Sequence, residues 1–495
     1  MIKKILIANR GEIACRVITT CKEMGIESVA VYSDVDQKAL HVLMADYSYC
    51  LGESEPSKSY LNIDKIMDAA KKSGADAIHP GYGFLAENAS FAARCEKEGI
   101  IFIGPPASVI SDLGDKTIAR QIMIKGGVPV TPGMTQTEPD PLVLAREADK
   151  IGYPVLIKAA AGGGGKGMRI VKHPGDMQEA CAAASSEAAS AFGNGAIYLE
   201  KYIEKPRHVE FQILADAFGN VIHLLERECS IQRRHQKIIE ETPSPGLTPS
   251  LREEMGKAAV AAAKASGYVN AGTIEFLLDR EGRFYFLEVN TRLQVEHPIT
   301  EMVTGIDLVR QQIEVASGKR LSLTQKDVCG RGHAIECRVY AEDPEKGFFP
   351  SPGKIQFFQQ PTGPGIRNDC GVYSGVEVPV DYDPIISKLV AYAEDREKAI
   401  AKMIKALGEY VIIGVKTPIP FLIDVLKSEA FAAGETYTDF IEKHFGNWSP
   451  EEKDIDMALI SYLMDEIAGR DKAQSQMFSS QEALSPWKTL GNFRL

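Results

Sequence analysis

The sequence predicts an α/β protein of several domains, on three observations. Residues 1–110 alternate short β-rich runs with helical patterns, the signature of a parallel sheet flanked by helices. Residues 153–171 and 273–290 each hold two apolar runs joined by a turn sequence, which reads as antiparallel pairing. The chain has 495 residues, beyond the ~250–300 that one core sustains.

In the first region "KKILIAN" is followed by the helical "GEIACRVITTCKEMG". Then come "SVAVYS", a helical stretch, "ADAIHPG", another helix and "IIFIGPP". "NRGEIA" stands where a dinucleotide fingerprint would, but lacks GxGxxG, which argues against a nicotinamide site. Further on, "YPVLIKAA" and "KGMRIV" read as strands joined by "AGGGG". Residues 177–192 read as an Ala-rich helix, and "AIYLEKYI" and "HVEFQILAD" as strands. "TIEFLL", the turn "DREG" and "RFYFLEVN" read as a hairpin. A four-residue turn at 279–282 would pair Glu275 with Phe286 and put Glu275 diagonal to Glu288 on one face, with Phe284 and Phe286 beside it. From 331, "GHAIECRVYAED" and "VDYDPIISKLVAYA" add β-like runs. "SPEEKDIDMALISYLMDEIAGR" reads as an amphipathic helix over 450–470 with Ser449 as N-cap and Pro450 at N1.

Net charge is −11 with acids and bases interspersed, which argues against nonspecific nucleic-acid binding. Nine scattered cysteines with no CxxC pair fit reduced thiols better than a disulfide framework or zinc site. The N-terminal apolar run is too short for a signal peptide, and no stretch approaches the ~18 apolar residues of a membrane span. The expectation is a cytoplasmic protein with no membrane partner.

Three stretches carry chemistry. Four glycines precede Lys166 and Gly167, but the spacing is not that of a Walker loop. The run is either a flexible turn or a backbone that approaches a phosphate closely. In "EVNTRLQVEHPITE", alternate positions from Glu288 give Asn290, Arg292, Gln294 and Glu296, which share one face of an extended chain. Glu275, Glu288 and Asn290 form a hard-oxygen cluster suited to Mg²⁺ with nucleotide phosphates. Arg292 offers a fork for a planar oxyanion, and Glu296 a base held ionised between the metal site and that arginine. The third stretch, "ERECSIQRRHQKIIEE", is a local basic patch that by itself reads as a charged surface turn, and its Cys229 as a plain buried thiol.

Together these stretches resemble an ATP-grasp enzyme, and specifically a biotin carboxylase. The matching motifs include "ILIANRGEIACRV", "HPGYGFLAEN", "AGGGGKGMR", "SIQRRHQK", "NTRLQVEHPITE", "ECRVYAEDP" and "YDPIISKLV", in order over about residues 1–446. The resemblance implies a pre-ATP-grasp Rossmann-like domain (1–114) and an ATP-grasp domain (115–330) whose mobile glycine-loop lid spans about 131–203. A C-terminal biotin carboxylase domain (331–446) and an extension (447–495) follow. It implies that Lys116, Lys158, Glu200, His208, Gln232 and His235 bind ATP, with Gly163, Gly164, Gly165, Lys166 and Gly167 folding over its phosphates. Glu275 and Glu288 would hold Mg²⁺ or Mn²⁺, with Asn290 nearby. Lys237, Arg292, Gln294 and Val295 would cradle bicarbonate, Glu296 would be its base, and Arg338 would stabilise the enolate-like biotin. The implied reaction passes through carboxyphosphate.

The Met-Lys-Met triplet of biotin carriers does not occur, so the resemblance further implies a separate biotin carboxyl carrier and a carboxyltransferase subunit, and, since members of the family are commonly homodimers, a homodimer. The final acceptor (acetyl-CoA, another acyl-CoA or pyruvate) is not readable. The rival classes are a ligase for another carboxylate and a nucleotide-sensing subunit. The apolar end with Trp487, Leu490, Phe493 and Leu495 is expected to dock on a partner subunit, with the helix at 450–470 packing on the enzyme's own C-terminal domain.

Overall fold

Three sheets position the site. The computed structural model describes residues 2–160, 167–234, 236–450 and 464. Gly163, Gly164, Gly165, Lys166 and His235 lie outside the described residues. So do the helix expected over 450–470, apart from Pro450 and Met464, and the apolar end.

The first sheet is parallel and five-stranded, in the order Tyr47–Gly52, Glu27–Ser33, Lys4–Ile7, Ala77–His79 and Ile101–Phe102. Helices Gly11–Glu23, Ile63–Ser73 and Ala89–Lys97 connect its strands, as the alternation predicts. Asn62 and Asn88 start the second and third of these by accepting from Lys65 N and Phe91 N. The loop after the first strand is tied to "HPGYG": Asn9 Nδ2 donates to Pro80 O (2.8 Å) and Tyr82 O (2.7 Å). That contact requires glycine at 81, where φ is +64° and a Cβ would stand 2.8 Å from Asn9 Nδ2.

The second sheet has eight strands, all neighbours antiparallel: Phe284–Asn290, Asn270–Leu278, Arg207–Ala215, Val221–Arg233, Gln236–Thr242, His333–Tyr340, Ile385–Ala393 and Ile366–Cys370. Gln236–Thr242 pairs with His333–Tyr340, so the sheet is continuous across residue 330. One core cluster joins Ile5, Ile7 and Val17 of the first region to Leu214, Leu224, Ala271 and Leu293. Burial of these side chains, at roughly 1.5–3 kcal/mol each, fixes the first sheet against the second. Trp448 packs edge-on against Phe421 (centroids 5.2 Å apart) and donates through Nε1 to Asp424 at 2.8 Å.

The third sheet is small: Val155–Ala159 lies between Arg169–Val171 and Ile197–Lys201, backed by Met177–Phe192, the Ala-rich helix. All nine cysteines are free. No described helix is long and apolar enough to cross a membrane.

The hairpin register differs from the sequence expectation. Leu278 faces Phe284 and Phe276 faces Phe286, then a β-bulge intervenes and Glu275 directly faces Glu288. The bulge absorbs one residue and reverses the alternation. Phe284, Phe286 and Val289 therefore lie in the core, while Leu287, Glu288 and Asn290 line a cleft. The phenylalanines and Glu288 do not share a face. The strand itself ends at Asn290, so the run to Glu296 is not one extended segment. Glu296 instead precedes the helix His297–Thr304.

Candidate active site

A cleft of about 1300 Å³ opens between the three sheets. Lys116 reaches it from the first turn of Lys116–Lys125, a helix that Asp115 caps by accepting from Thr117 N and Ile118 N. Lys158 reaches it from the small sheet and lies 2.7 Å from Glu200 Oε2. Burial pushes the Lys116 ammonium below its ordinary pKa. Burial would raise the Glu200 carboxyl, but Lys158 and Arg120 outweigh it and hold the group below its ordinary range. Two lysines from different elements in one cleft suit a polyphosphate.

His208 and Gln232 stand on neighbouring strands. His208 Nε2 is 2.7 Å from Glu275 Oε2, and its Nδ1 is 2.6 Å from Gln232 Nε2. Gly167, at φ +71°, packs towards Ala159 and Ala188 and is not among the residues lining the cleft.

The "SIQRRHQK" segment is not a solvated turn. Gln232 and Lys237 sit on adjacent strands and enter the cleft, while Arg233 bonds Glu342 at 3.0 Å and stacks on Phe348. The Lys237 ammonium touches three carboxylates: Glu210 Oε2 (2.6 Å), Glu296 Oε1 (2.7 Å) and Glu275 Oε1 (2.8 Å). Burial would lower its pKa, yet these three neighbours hold it well above the ordinary lysine value.

Glu296 is fully buried and bonded on both oxygens, by Lys237 on one and by Arg338 Nη2 on the other at 3.0 Å. Burial would raise its pKa; Lys237, Arg338 and Arg227 reverse the effect, and the carboxyl is held far below its ordinary range. The sequence expected Arg292 beside it, but the guanidinium beside it is that of Arg338. Arg292 turns instead to Glu87 Oε2 (2.8 Å), Gln294 Oε1 (3.0 Å) and Asn290 Oδ1 (3.1 Å). Cys229, read as a plain buried thiol, has its Sγ 3.8 Å from Glu296 Oε1.

Arg292, Gln294, Asn290 and Val295 all line the cleft. Sequence reasoning missed Glu210, Glu87 and Arg227. Glu210 is paired directly with Glu275 on the neighbouring strand, and the alternation of His208, Glu210 and Gln212 in "HVEFQ" was the available signal. Arg227 is fully buried and donates to Glu210, Gln212 and Thr300.

The oxygens of Glu275 and Glu288, directly opposed on one hairpin and both in the cleft, fit a divalent cation that also takes nucleotide phosphates. In the structure Glu275 is engaged by Lys237, Asn290, Gln294 and His208. Among the described residues the Glu288 carboxylate has no hydrogen-bond partner.

A small three-stranded sheet facing a large antiparallel sheet, with a lysine from each side and two opposed carboxylates in the cleft between, defines an ATP-grasp enzyme. Family models agree in detail. Residues 1–110 match the biotin carboxylase N-terminal domain and 336–443 the biotin carboxylase C-terminal domain. Residues 115–324 match the ATP-binding domain of the carbamoyl-phosphate synthase L chain. The chain is 53% identical to a pyruvate carboxylase subunit of Methanothermobacter thermautotrophicus, over 100% of this chain and 99% of that one. It is 54% identical to biotin carboxylase 1 of Bacillus subtilis, over 90% and 99%. Among solved structures it resembles the biotin carboxylase domain of Hydrogenobacter thermophilus 2-oxoglutarate carboxylase, crystallised as a dimer with MgADP, ADP and bicarbonate. That match has a TM-score of 0.87 and 51% identity, over 90% of this chain and 98% of that one. The Campylobacter jejuni biotin carboxylase in complex with β,γ-ATP gives 0.88 and 49%, over 90% and 99%. The chain belongs to the biotin carboxylase family, whose enzymes carboxylate biotin at the expense of ATP.

Proposed function

We propose that this chain carboxylates biotin held on a carrier protein or domain, using MgATP and bicarbonate, as the first half-reaction of an acyl-CoA or pyruvate carboxylase. The observation that carries the reading is Glu296, ionised between Lys237 and Arg338 in a cleft that also holds Lys116 and Lys158. The carrier, a carboxyltransferase partner and a homodimer are part of the proposal. Support comes from the multi-subunit carboxylases among the relatives and from the dimer of the Hydrogenobacter domain.

In this reading Lys116, Lys158, Glu200, His208, Gln232 and His235 bind the nucleotide, under the loop from Gly163 to Gly167. Glu275 and Glu288, with Asn290, hold Mg²⁺, which when bound neutralises phosphate charge. Lys237, Arg292, Gln294 and Val295 receive bicarbonate. Glu296 takes the bicarbonate proton, and the carbonate oxygen displaces ADP from the γ-phosphorus to give carboxyphosphate. Carboxyphosphate splits to CO₂ and phosphate, the phosphate takes the ureido N–H proton, and the nitrogen attacks CO₂. Arg338 faces the oxyanion of that enolate-like biotin.

Lys237 and Arg338 hold the Glu296 carboxyl far below its ordinary range and so weaken it as a base. An anion that draws Lys237 or Arg338 towards itself removes a hydrogen bond from Glu296 and raises its basicity, so substrate binding would arm the base. The test is ADP formation with bicarbonate, with and without free biotin. Stimulation by biotin supports the carboxylase, and bicarbonate-independent turnover with another acid would replace it with a different ligase.

A further inference from the structure

Two carboxyls beneath the site have no part in the reaction described above. Glu240, on Gln236–Thr242, and Glu336, on His333–Tyr340, face each other directly across the antiparallel pair. Direct opposites place their Cβ atoms roughly 4.5–5.5 Å apart. Both side chains are fully buried. Glu240 Oε1 accepts from Arg338 Nε at 2.6 Å and lies 2.5 Å from Arg338 Nη2. Glu240 Oε2 and both Glu336 oxygens have no hydrogen-bond partner among the described residues.

The surrounding groups leave little positive charge for the pair. Arg338 is shared with Glu296. Lys388, beside Arg338 on the next strand and 3.0 Å from Glu12, draws Glu336 down, but less than burial and Glu240 raise it, and Lys237 serves three other carboxylates. His297, on the helix packed over these strands, and the Cys229 thiol are kept neutral by burial. Two ionised carboxylates at this spacing, with one shared guanidinium between them and Glu296, would repel strongly in a dry interior.

We propose that Glu336 is a neutral acid, that the two carboxyls hold one proton between them, and that Glu240 is thereby the positioning residue that fixes Arg338 towards Glu296 and the cleft. The role of Arg338 rests on the functional reading given above; the shared proton does not. Burial, then Glu240, pushes Glu336 well above the ordinary carboxyl range, and burial pushes Glu240 up to about 7 despite Arg338. As pH falls through neutrality Glu240 takes up a proton, its hold on Arg338 slackens, and biotin carboxylation declines.

Two measurements test this. Infrared difference spectra of wild type against Glu336→Gln at pH 8 should show the carbonyl stretch of a protonated carboxylic acid in wild type only. Its absence from wild type overturns the shared proton, whatever the activity. In pH profiles of free-biotin carboxylation, Glu240→Gln should lose at least about tenfold in kcat/KM for biotin and lose the acid limb near neutrality, with KM for MgATP unchanged. Glu240→Asp, the milder variant, should recover part of the activity and keep the limb. Wild-type kcat/KM and an unshifted limb in Glu240→Gln overturn the positioning role. A wild type that ignores biotin would instead count against the functional reading, and the infrared result would still stand.

Discussion

The Lys237 ammonium lies 2.7 Å from Glu296 Oε1, and the same ammonium holds Glu210 and Glu275. One cation thus ties three strands and the segment before His297–Thr304 into the floor of the cleft. Lys237→Met leaves three buried carboxylates without it, and breaking a buried pair costs about 3–5 kcal/mol. The variant should unfold at a clearly lower denaturant concentration and show no bicarbonate-dependent ATP cleavage. A wild-type unfolding midpoint would contradict the geometry.

Removing the base and leaving its neighbours should separate binding from chemistry. Glu296→Gln should keep nucleotide binding and lose bicarbonate-dependent turnover by roughly 10²-fold or more, the scale of a positioned general base. Near-normal turnover would remove Glu296 from the mechanism.

Arg338→Ala should damage biotin carboxylation far more than bicarbonate-dependent ATP cleavage, because its proposed substrate contact is with biotin. Equal losses in the two assays would contradict that assignment.

The face of the site was legible in the sequence where polar residues interrupt apolar runs. Asn290, Arg292 and Gln294 keep their alternation into the cleft even though the strand ends at Asn290. The bulge after Phe286 was not legible, because it answers to packing of Phe284, Phe286 and Val289 in a core built from distant segments. Nor were Glu210 and Glu240 legible as parts of a charge network. Glu210 is the one acid of its strand and Glu240 is followed directly by Glu241, so neither pattern names a partner; the strand order that supplies one is a tertiary fact. The parallel order of the first sheet was easier, since βαβ connections are local and nearly always of one hand.

A half-buried ion pair gives a pH signature away from the site. Burial would raise Asp369, but Arg367, at 2.7 Å, outweighs it and holds the carboxyl at about 2, below its ordinary 3.8. A depressed carboxyl contributes stability that is complete above about pH 4 and is lost as pH falls towards 2. The contribution is about 2 kcal/mol. In urea unfolding, the advantage of wild type over Asp369→Asn should therefore shrink as pH drops below 4. An advantage that grows with acidity would contradict the sign.

Truncation should depend on which side of Trp448 the cut falls. A chain ending at 450 keeps the Trp448 contacts with Phe421 and Asp424 and should retain free-biotin carboxylation. One ending at 447 should melt lower. If residues 480–495 dock on a partner subunit, the chain ending at 450 should also fail to join the holoenzyme. Normal assembly would dismiss the docking role.

The most direct measurement is ADP release by the purified chain with MgATP and bicarbonate, as free biotin is added. The account predicts that release requires bicarbonate, rises with biotin, and loses both dependences in Glu296→Gln. Release that proceeds without bicarbonate and ignores biotin would contradict it.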